Sequence, residues 1–252
     1  MIAKESDWYK TMWSLDIKNQ SWVEDTRHQT DFIIKALDLR KNQRILDLAC
    51  GFGRHSLELA RRGFEVVGAD ITRDYITDAE NTAKAEGLSA RFILSDIRDL
   101  KFNQEFDAVL NLADGAIGYL ENDKENLKIF DVIASALKPG GKHFMDVCNA
   151  EYAESHFPAT GWEAGETTLS LSLFEWNSKK KIMLYGGKTL PYGDPLVKPE
   201  IIFGDPIRLY SRKELDVIFK QRNMVIKETY SNYYGKPETP KELQLMVYSV
   251  KR

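Results

Sequence analysis

Ile45-Leu-Asp-Leu-Ala-Cys-Gly-Phe-Gly-Arg-His-Ser56 changes period in its middle. Arg44–Ala49 is a short apolar run broken only by Asp47, as a strand buried on both faces should be. The turn Cys50-Gly51-Phe52-Gly53 then leads into a helical pattern from Arg54 to about Arg62, which Gly63 ends as a left-handed C′ residue. Glycine at 51 and 53 lets a ligand approach the backbone, and the first turn of the following helix leaves N–H groups without partners.

Outward from this unit the same alternation continues. Strands are predicted at Glu65–Ala69, Ala90–Leu94, Phe106–Asn111 and Lys142–Val147, with helices over about Thr72–Glu86 and Asp123–Leu137. Strands that alternate with helices imply a parallel sheet joined by crossovers, so the chain is α/β and doubly wound. Lys138-Pro-Gly-Gly141 reads as the turn before the fifth strand. Residues 150–205 break the pattern, with half of the eight prolines and two alternating stretches, Thr168–Trp176 and Lys181–Thr189. They read as a small antiparallel insertion that covers the strand ends. Ser211-Arg-Lys-Glu214 is a capping-box pattern opening a helix to about Arg222. Val225–Tyr230 and Leu243–Val250 have no helix between them and should pair antiparallel at the sheet edge. Before the first strand, Thr26–Leu37 fits an amphipathic helix, and residues 1–25 form an arm rich in Trp and Tyr. The domain division is therefore an arm, 1–25; a core, 26–149 and 206–252; and the insertion, 150–205.

The carboxyl ends of successive strands carry the chemistry. Asp70 closes the second strand about seventeen residues past Gly53, where an acid accepts hydrogen bonds from ribose hydroxyls. The competing role, capping the next helix, is one that Thr72 already suits. Asp96 closes the third strand, with Ile97 beside it. Each alone is a strand end; in series they mark the edge where open α/β sheets bind ligands.

The stretch 45–56 resembles the first motif of class I S-adenosylmethionine-dependent methyltransferases. Val66-Val-Gly-Ala-Asp70, Ser95-Asp96-Ile97, Phe106–Asn111 and Leu137–Gly141 resemble its later motifs in order and spacing. The resemblance covers about 26–149 and 206–252 and departs at Ala49, where the family usually has glycine. It implies a Rossmann-like seven-stranded sheet ending in an antiparallel hairpin, and S-adenosylmethionine as cofactor. On that resemblance the backbone at Ala49, Gly51 and Gly53 lines the methionine part. Asp70, with the neighbouring Ile71, holds the ribose; Asp96 and Ile97 hold the adenine. The backbone at Asn111 and Leu112 approaches the methionine amine, and Asp47 fixes the loop.

The main competitor is an NAD(P)-dependent oxidoreductase. Its third glycine position is Ser56 here, although Arg54 could pair with a phosphate. The proline-glycine-glycine entry to the fifth strand and the terminal hairpin favour methyl transfer. A non-catalytic module that keeps the cofactor site is the other class. A nucleic-acid substrate is disfavoured by a net charge of −3 with the charges evenly mixed, and by Asn111-Leu-Ala-Asp114, which lacks the prolines of base-methylating enzymes. The expected partner is thus a small-molecule methyl acceptor offering N, O or S. Acceptor-pocket candidates are Tyr119 first, then Asn149, followed by Tyr9, Trp13, Tyr210 and Tyr233. His55 and His156 are possible bases, more simply read as structural, and no general base is identified. Two cysteines and four histidines support neither a disulfide framework nor a metal site. The charged first residues do not form a signal peptide, and no stretch has the ~20 apolar residues of a membrane span. The expectation is a cytoplasmic protein, and the sequence sets no oligomeric state.

Overall fold

A computed structural model describes residues 8–200 and 206–252. Apolar side chains alternate between the two faces of the strands, and this builds the molecule. Leu46, Leu48, Val67, Ala69, Val109, Met145 and Val147 point to one face. Ile45, Val66, Ala108, Leu110 and Phe144 point to the other. A sheet apolar on both faces must be covered on both.

In chain order the helices are α1 (Ser21–Glu24), α2 (Thr26–Ala36), α3 (Arg54–Arg61), α4 (Arg73–Glu86), α5 (Asp123–Ala136), α6 (Ala150–His156) and α7 (Arg212–Lys220). The strands are β1 (Arg44–Leu48), β2 (Glu65–Asp70), β3 (Ala90–Leu94), β4 (Phe106–Asn111), β5 (Leu137–Cys148), β6 (Ala159–Ala164), β7 (Thr168–Asn177), β8 (Ile182–Pro191), β9 (Pro206–Arg208), β10 (Met224–Tyr230) and β11 (Gln244–Lys251). Ile129, Ile133, Leu215 and Phe219 bring α5 and α7 onto the first face. Ile33, Leu59 and Ala60 bring α2 and α3 onto the second.

The main sheet has seven strands in the order β10-β11-β5-β4-β1-β2-β3. β1 pairs in parallel with both β2 and β4, Leu46 lying opposite Val67 on one side and Val109 on the other. Strand order reverses there, so the carboxyl ends of β1 and β4 open a crevice. The doubly wound seven-stranded fold and its closing hairpin are as the sequence implies. The two strands pair antiparallel at the sheet edge as expected, with β11 on the inner side between β5 and β10. Burial explains this, because Leu245, Met246 and Val247 of β11 are fully buried while Lys227 and Glu228 of β10 are exposed.

β5 also begins earlier than its sequence pattern suggests. Leu137 already pairs with Phe106, and Lys142 pairs with Ala108, so Lys138–Gly141 bulge out within a strand rather than precede it. The Lys138 ammonium, 2.8 Å from Asp107, holds the bulge down. Ser211 and Glu214 form the expected capping box at α7.

The insertion supplies β6, β7 and β8, one strand more than its alternation shows, to a four-stranded antiparallel sheet β6-β7-β8-β9 whose last strand belongs to the returning core segment. Met183 and Ile207 anchor it to the main core, and the Arg208 N–H donates to the Gly118 carbonyl at 2.8 Å. Trp162 is 74% exposed. Residues 1–7 of the arm and 201–205 of the insertion lie outside the described residues.

Candidate functional site

The crevice at the β1/β4 reversal is a cleft open to solvent. Its floor is the turn after β1. Ala49 has φ 55 and Gly51 φ 57, so alanine at 49 holds a backbone state that costs an L-residue about 1–2 kcal/mol. The turn is set by Cys50 N–H donating to the Ala69 carbonyl at 3.0 Å and Gly53 N–H donating to the Cys50 carbonyl at 3.0 Å.

Asp70 ends β2 with both oxygens turned to this loop. Oδ2 accepts from Gly51 N–H at 2.9 Å, and Oδ1 from Thr72 N–H at 2.8 Å. It therefore binds the start of α4 as well as the glycine turn, while Thr72 caps α4 without a side-chain bond. Burial raises the Asp70 carboxyl, and these N–H groups pull it back down. Asp47 accepts from Ser56 Oγ at 2.6 Å; burial pushes it up to about 6 against that hydrogen bond. It ties the loop to α3, as expected, and also lines the cleft.

Asp96 caps a short turn, accepting from Arg98 N–H at 2.9 Å, and pairs with the Arg98 guanidinium at 2.6 Å. Burial raises its carboxyl, but the Arg98 bonds outweigh burial and hold it below the ordinary value. Arg98 also reaches Glu121 at 3.0 Å and Glu125 at 2.7 Å and donates to the Tyr9 hydroxyl at 3.0 Å. That hub had no sequence signal, because its partners come from the arm, the third strand end and the segment after β4.

The arm forms the cover. Tyr9, Trp13, Ile17 and Trp22 line the cleft. Trp13 stacks on Tyr119 with 6.3 Å between centroids and 10° between planes, and Trp8 lies 5.0 Å from the same ring. On the opposite side the Tyr75 hydroxyl donates to the Ser14 carbonyl at 2.9 Å, and Lys18 pairs with Asp78 at 2.5 Å. No described residue of 150–205 lines the cleft; the covering expected of the insertion falls, among the described residues, to the arm.

The segment after β4 is the most strained part of the wall. Ala113, Asp114, Gly115 and Ala116 have φ of 51, 68, 52 and 62, and the three non-glycine residues cost about 1–2 kcal/mol each. Asp114 N–H donates to the Asp146 carbonyl at 2.8 Å and Ile117 N–H to the Asp114 carbonyl at 2.9 Å. Asn111 Nδ2 donates to the Gly115 carbonyl at 3.1 Å. Strain held this firmly beside a cleft is a mark of function.

The cleft thus brings together Ala49, Gly51, Asp70, Ile71, Asp96, Ile97 and Leu112 of the expected cofactor set, and Tyr9, Trp13 and Tyr119 of the acceptor set. Gly53 and Asn111 stand just behind the lining. A Cβ on Gly53 would come within 2.9 Å of Phe92 and 3.0 Å of Ala79, so glycine there serves helix packing. Asn149 caps α6 by accepting from Glu151 N–H at 2.9 Å. Tyr210 is buried with its ring 6.0 Å from Phe130, and the Tyr233 hydroxyl donates to Asp146 Oδ2 at 2.9 Å. None of these three lines the cleft.

His55 lines it but is buried 2.9 Å from Gln29 Oε1, and burial holds its pKa well below the usual range. His156 packs on Tyr152, 4.0 Å between centroids. Arg54 is engaged by the helices that follow the arm: Nη1 donates to Thr26 Oγ1 at 2.9 Å and to Gln29 Oε1 at 2.6 Å. Asp114, Tyr75 and Phe52 were not singled out as site residues; Asp114 and Phe52 sit inside motifs but have ordinary side chains, and Tyr75 is an aromatic in a helix.

Comparison with known proteins agrees with this geometry. The family model of a methyltransferase domain matches residues 45–141. The candidate methyltransferase YqeM of Bacillus subtilis (strain 168) is 31% identical over 159 residues, covering 56% of this chain and 64% of that protein. The glycine/sarcosine N-methyltransferase of Halorhodospira halochloris is 31% identical over 137 residues, 54% of this chain and 51% of that protein. The chain thus spans less than two thirds of the length of these curated relatives. An S-adenosylmethionine-dependent methyltransferase from Clostridium acetobutylicum ATCC 824 superposes with a TM-score of 0.75 at 18% identity, covering 93% of this chain and 96% of that one, a likeness of fold. No helix among the described residues is long and apolar enough to cross a membrane.

Proposed function

We propose that the chain is a class I S-adenosylmethionine-dependent methyltransferase that transfers a methyl group from that cofactor to N, O or S of a small molecule bound beneath the arm. The observation that carries the reading is the row of carboxylates, Asp47, Asp70 and Asp96, around one cleft whose only Lys or Arg among the described lining residues is Arg54. That electrostatics suits a sulfonium and opposes the pyrophosphate of a dinucleotide, and Arg54 is already bonded to Thr26 and Gln29.

The residues fit the cofactor. Asp70 uses one acceptor site on each oxygen, and a carboxylate has about four, so two remain for vicinal ribose hydroxyls. Thr72 Oγ1 and Asn111 Oδ1 are buried without partners among the described residues, next in sequence to the lining residues Ile71 and Leu112. Asp96 and Ile97 suit the adenine; the backbone at Ala49 and Gly51, the methionine part. When bound, the cofactor supplies a methyl group on sulfur that is its own leaving group. The chain's work is to hold the acceptor about 3–3.5 Å away, in line, and to exclude water. Trp13, Tyr9 and Tyr119 do so as the cover. The aromatic cover over the cleft supports a small acceptor, and free Cys50 and Cys148 support a reducing, cytoplasmic setting. We keep the division into arm, core and insertion as part of the proposal.

Calorimetric titration with S-adenosylhomocysteine, NAD and NADP tests it. Micromolar binding of the nucleoside alone is expected. Binding of a dinucleotide instead would refute the cofactor, and binding of none would leave only the fold.

A further inference from the structure

One polar pair in the cleft wall has no part in holding the cofactor. The Tyr119 hydroxyl donates to Asp114 Oδ2 at 3.1 Å, and Asp114 Oδ1 accepts from Cys148 N–H at 3.2 Å. Tyr119 faces the cleft; Asp114 lies behind it. Asp146 and Cys148 of β5 are the other titratable groups beside Asp114, and both are acids. No Lys or Arg among the described residues pairs with Asp114. Burial accordingly raises its carboxyl, against the hydrogen bonds from Tyr119 and Cys148. The left-handed run Ala113–Ala116 holds the pair in the wall, and Trp13 and Trp8 pack against the Tyr119 ring.

We propose that the acceptor is an amine that enters as its ammonium ion, bound by the Tyr119 hydroxyl and the aromatic faces, with Asp114 behind Tyr119 taking up the proton. The proposal rests on the methyltransferase reading above. An ammonium nitrogen has no lone pair and cannot attack. It gives one proton to Tyr119 Oη while the Tyr119 proton passes to Asp114 Oδ2. The freed lone pair forms the new C–N bond, the S–CH₃ bond breaks with its electron pair going to sulfur, and the product leaves as the N-methylammonium ion. Asp114 returns its proton through Tyr119 to solvent. Among the described lining residues an anionic acceptor finds Arg54 alone, which is already engaged; a cation finds a carboxylate and three aromatic rings.

Tyr119 would touch the substrate, and Asp114 acts through it as a positioning residue. The test titrates the full chain, saturated with S-adenosylhomocysteine, with cyclohexylamine and with its neutral counterpart cyclohexanol. It is run on the wild type, Asp114→Asn and Tyr119→Phe. A charge-assisted bond predicts that the wild type binds the ammonium about tenfold tighter than the alcohol. Both substitutions should bring that ratio toward one while leaving S-adenosylhomocysteine affinity unchanged, whereas a merely structural lesion would weaken both probes alike. If Asp114→Asn does not fold, Tyr119→Phe decides. Equal affinities in the wild type, no binding of the ammonium, or a ratio preserved in the folded variants would overturn the proposal. Failure of S-adenosylhomocysteine to bind the wild type would instead overturn the reading beneath it.

Discussion

Asp70→Asn separates the ligand role of this side chain from its structural one. The carboxylate spends one acceptor site on Gly51 N–H at 2.9 Å and one on Thr72 N–H at 2.8 Å, leaving about two for ribose hydroxyls. Asparagine keeps one oxygen, so one backbone bond and one ribose bond survive. A hydrogen bond to a charged group is worth about 1.5–3 kcal/mol, so losing the ribose bond should weaken S-adenosylhomocysteine binding roughly ten- to a hundredfold. The free protein loses a backbone bond of similar strength but no longer buries a charge, which offsets part of that loss. Cofactor affinity should therefore fall by more than stability does. Titration calorimetry reads the first and thermal unfolding without ligand reads the second. A folded variant with wild-type affinity would refute the ribose assignment and leave Asp70 as a loop brace.

Gly118→Ala should prevent or severely weaken folding, because φ is +87 and a Cβ there would collide with the carbonyl of Arg208, whose N–H bonds the Gly118 carbonyl; soluble yield and chemical denaturation check it. Arg98→Leu should remove the bridge from Tyr9 of the arm to Asp96 and Glu121, leaving the direct Tyr9–Glu121 bond there, so amides of 8–20 should exchange faster while those of β11 do not change. Burial raises Asp47 to about 6 and Asp146 to about 7, against about 3.9 when unfolded. The folded state then holds these protons more tightly, so this contribution is full below about pH 4 and is lost as pH rises toward 7. Melting temperature of the ligand-free protein should accordingly fall between about pH 4 and 7, and Asp146→Asn should flatten the decline.

Local chemistry was legible and distant chemistry was not. The turn after β1, the acids ending β2 and β3, and the Ser211–Glu214 box are each written within a few residues, where spacing alone fixes geometry. Lys138–Gly141 carry turn residues, yet pairing of Leu137 with Phe106 makes them a bulge inside β5. Nothing in the β11 pattern says it inserts beside β5, because that depends on competition with β10 for the buried position. Tyr119 and Tyr233 look alike in sequence. One faces the cleft, and the other is drawn behind the sheet by Asp146, a residue 87 positions away. Asp114 was read only for the prolines missing around it, although its strained backbone is the more telling feature.

The arrangement of acids makes sense as a field rather than as separate contacts. Asp47 and Asp146 are buried and Asp114 half-buried, and desolvation raises all three, with Arg54 the only Lys or Arg among the described residues lining the cleft. Such groups weaken a ligand-free protein, since a charge without a partner is costly to bury. They become favourable when a cation occupies the space between them. In methyl transfer to an amine, positive charge moves from sulfur to nitrogen. Under the proposal above, Asp47 on the glycine-turn side opposes the positive charge while it is on sulfur, and Asp114 behind Tyr119 opposes it on the entering ammonium until it takes up the proton. The left-handed backbone at 113–116 then has a physical purpose: it holds the second of these carboxylates within reach of a hydroxyl that faces the cleft.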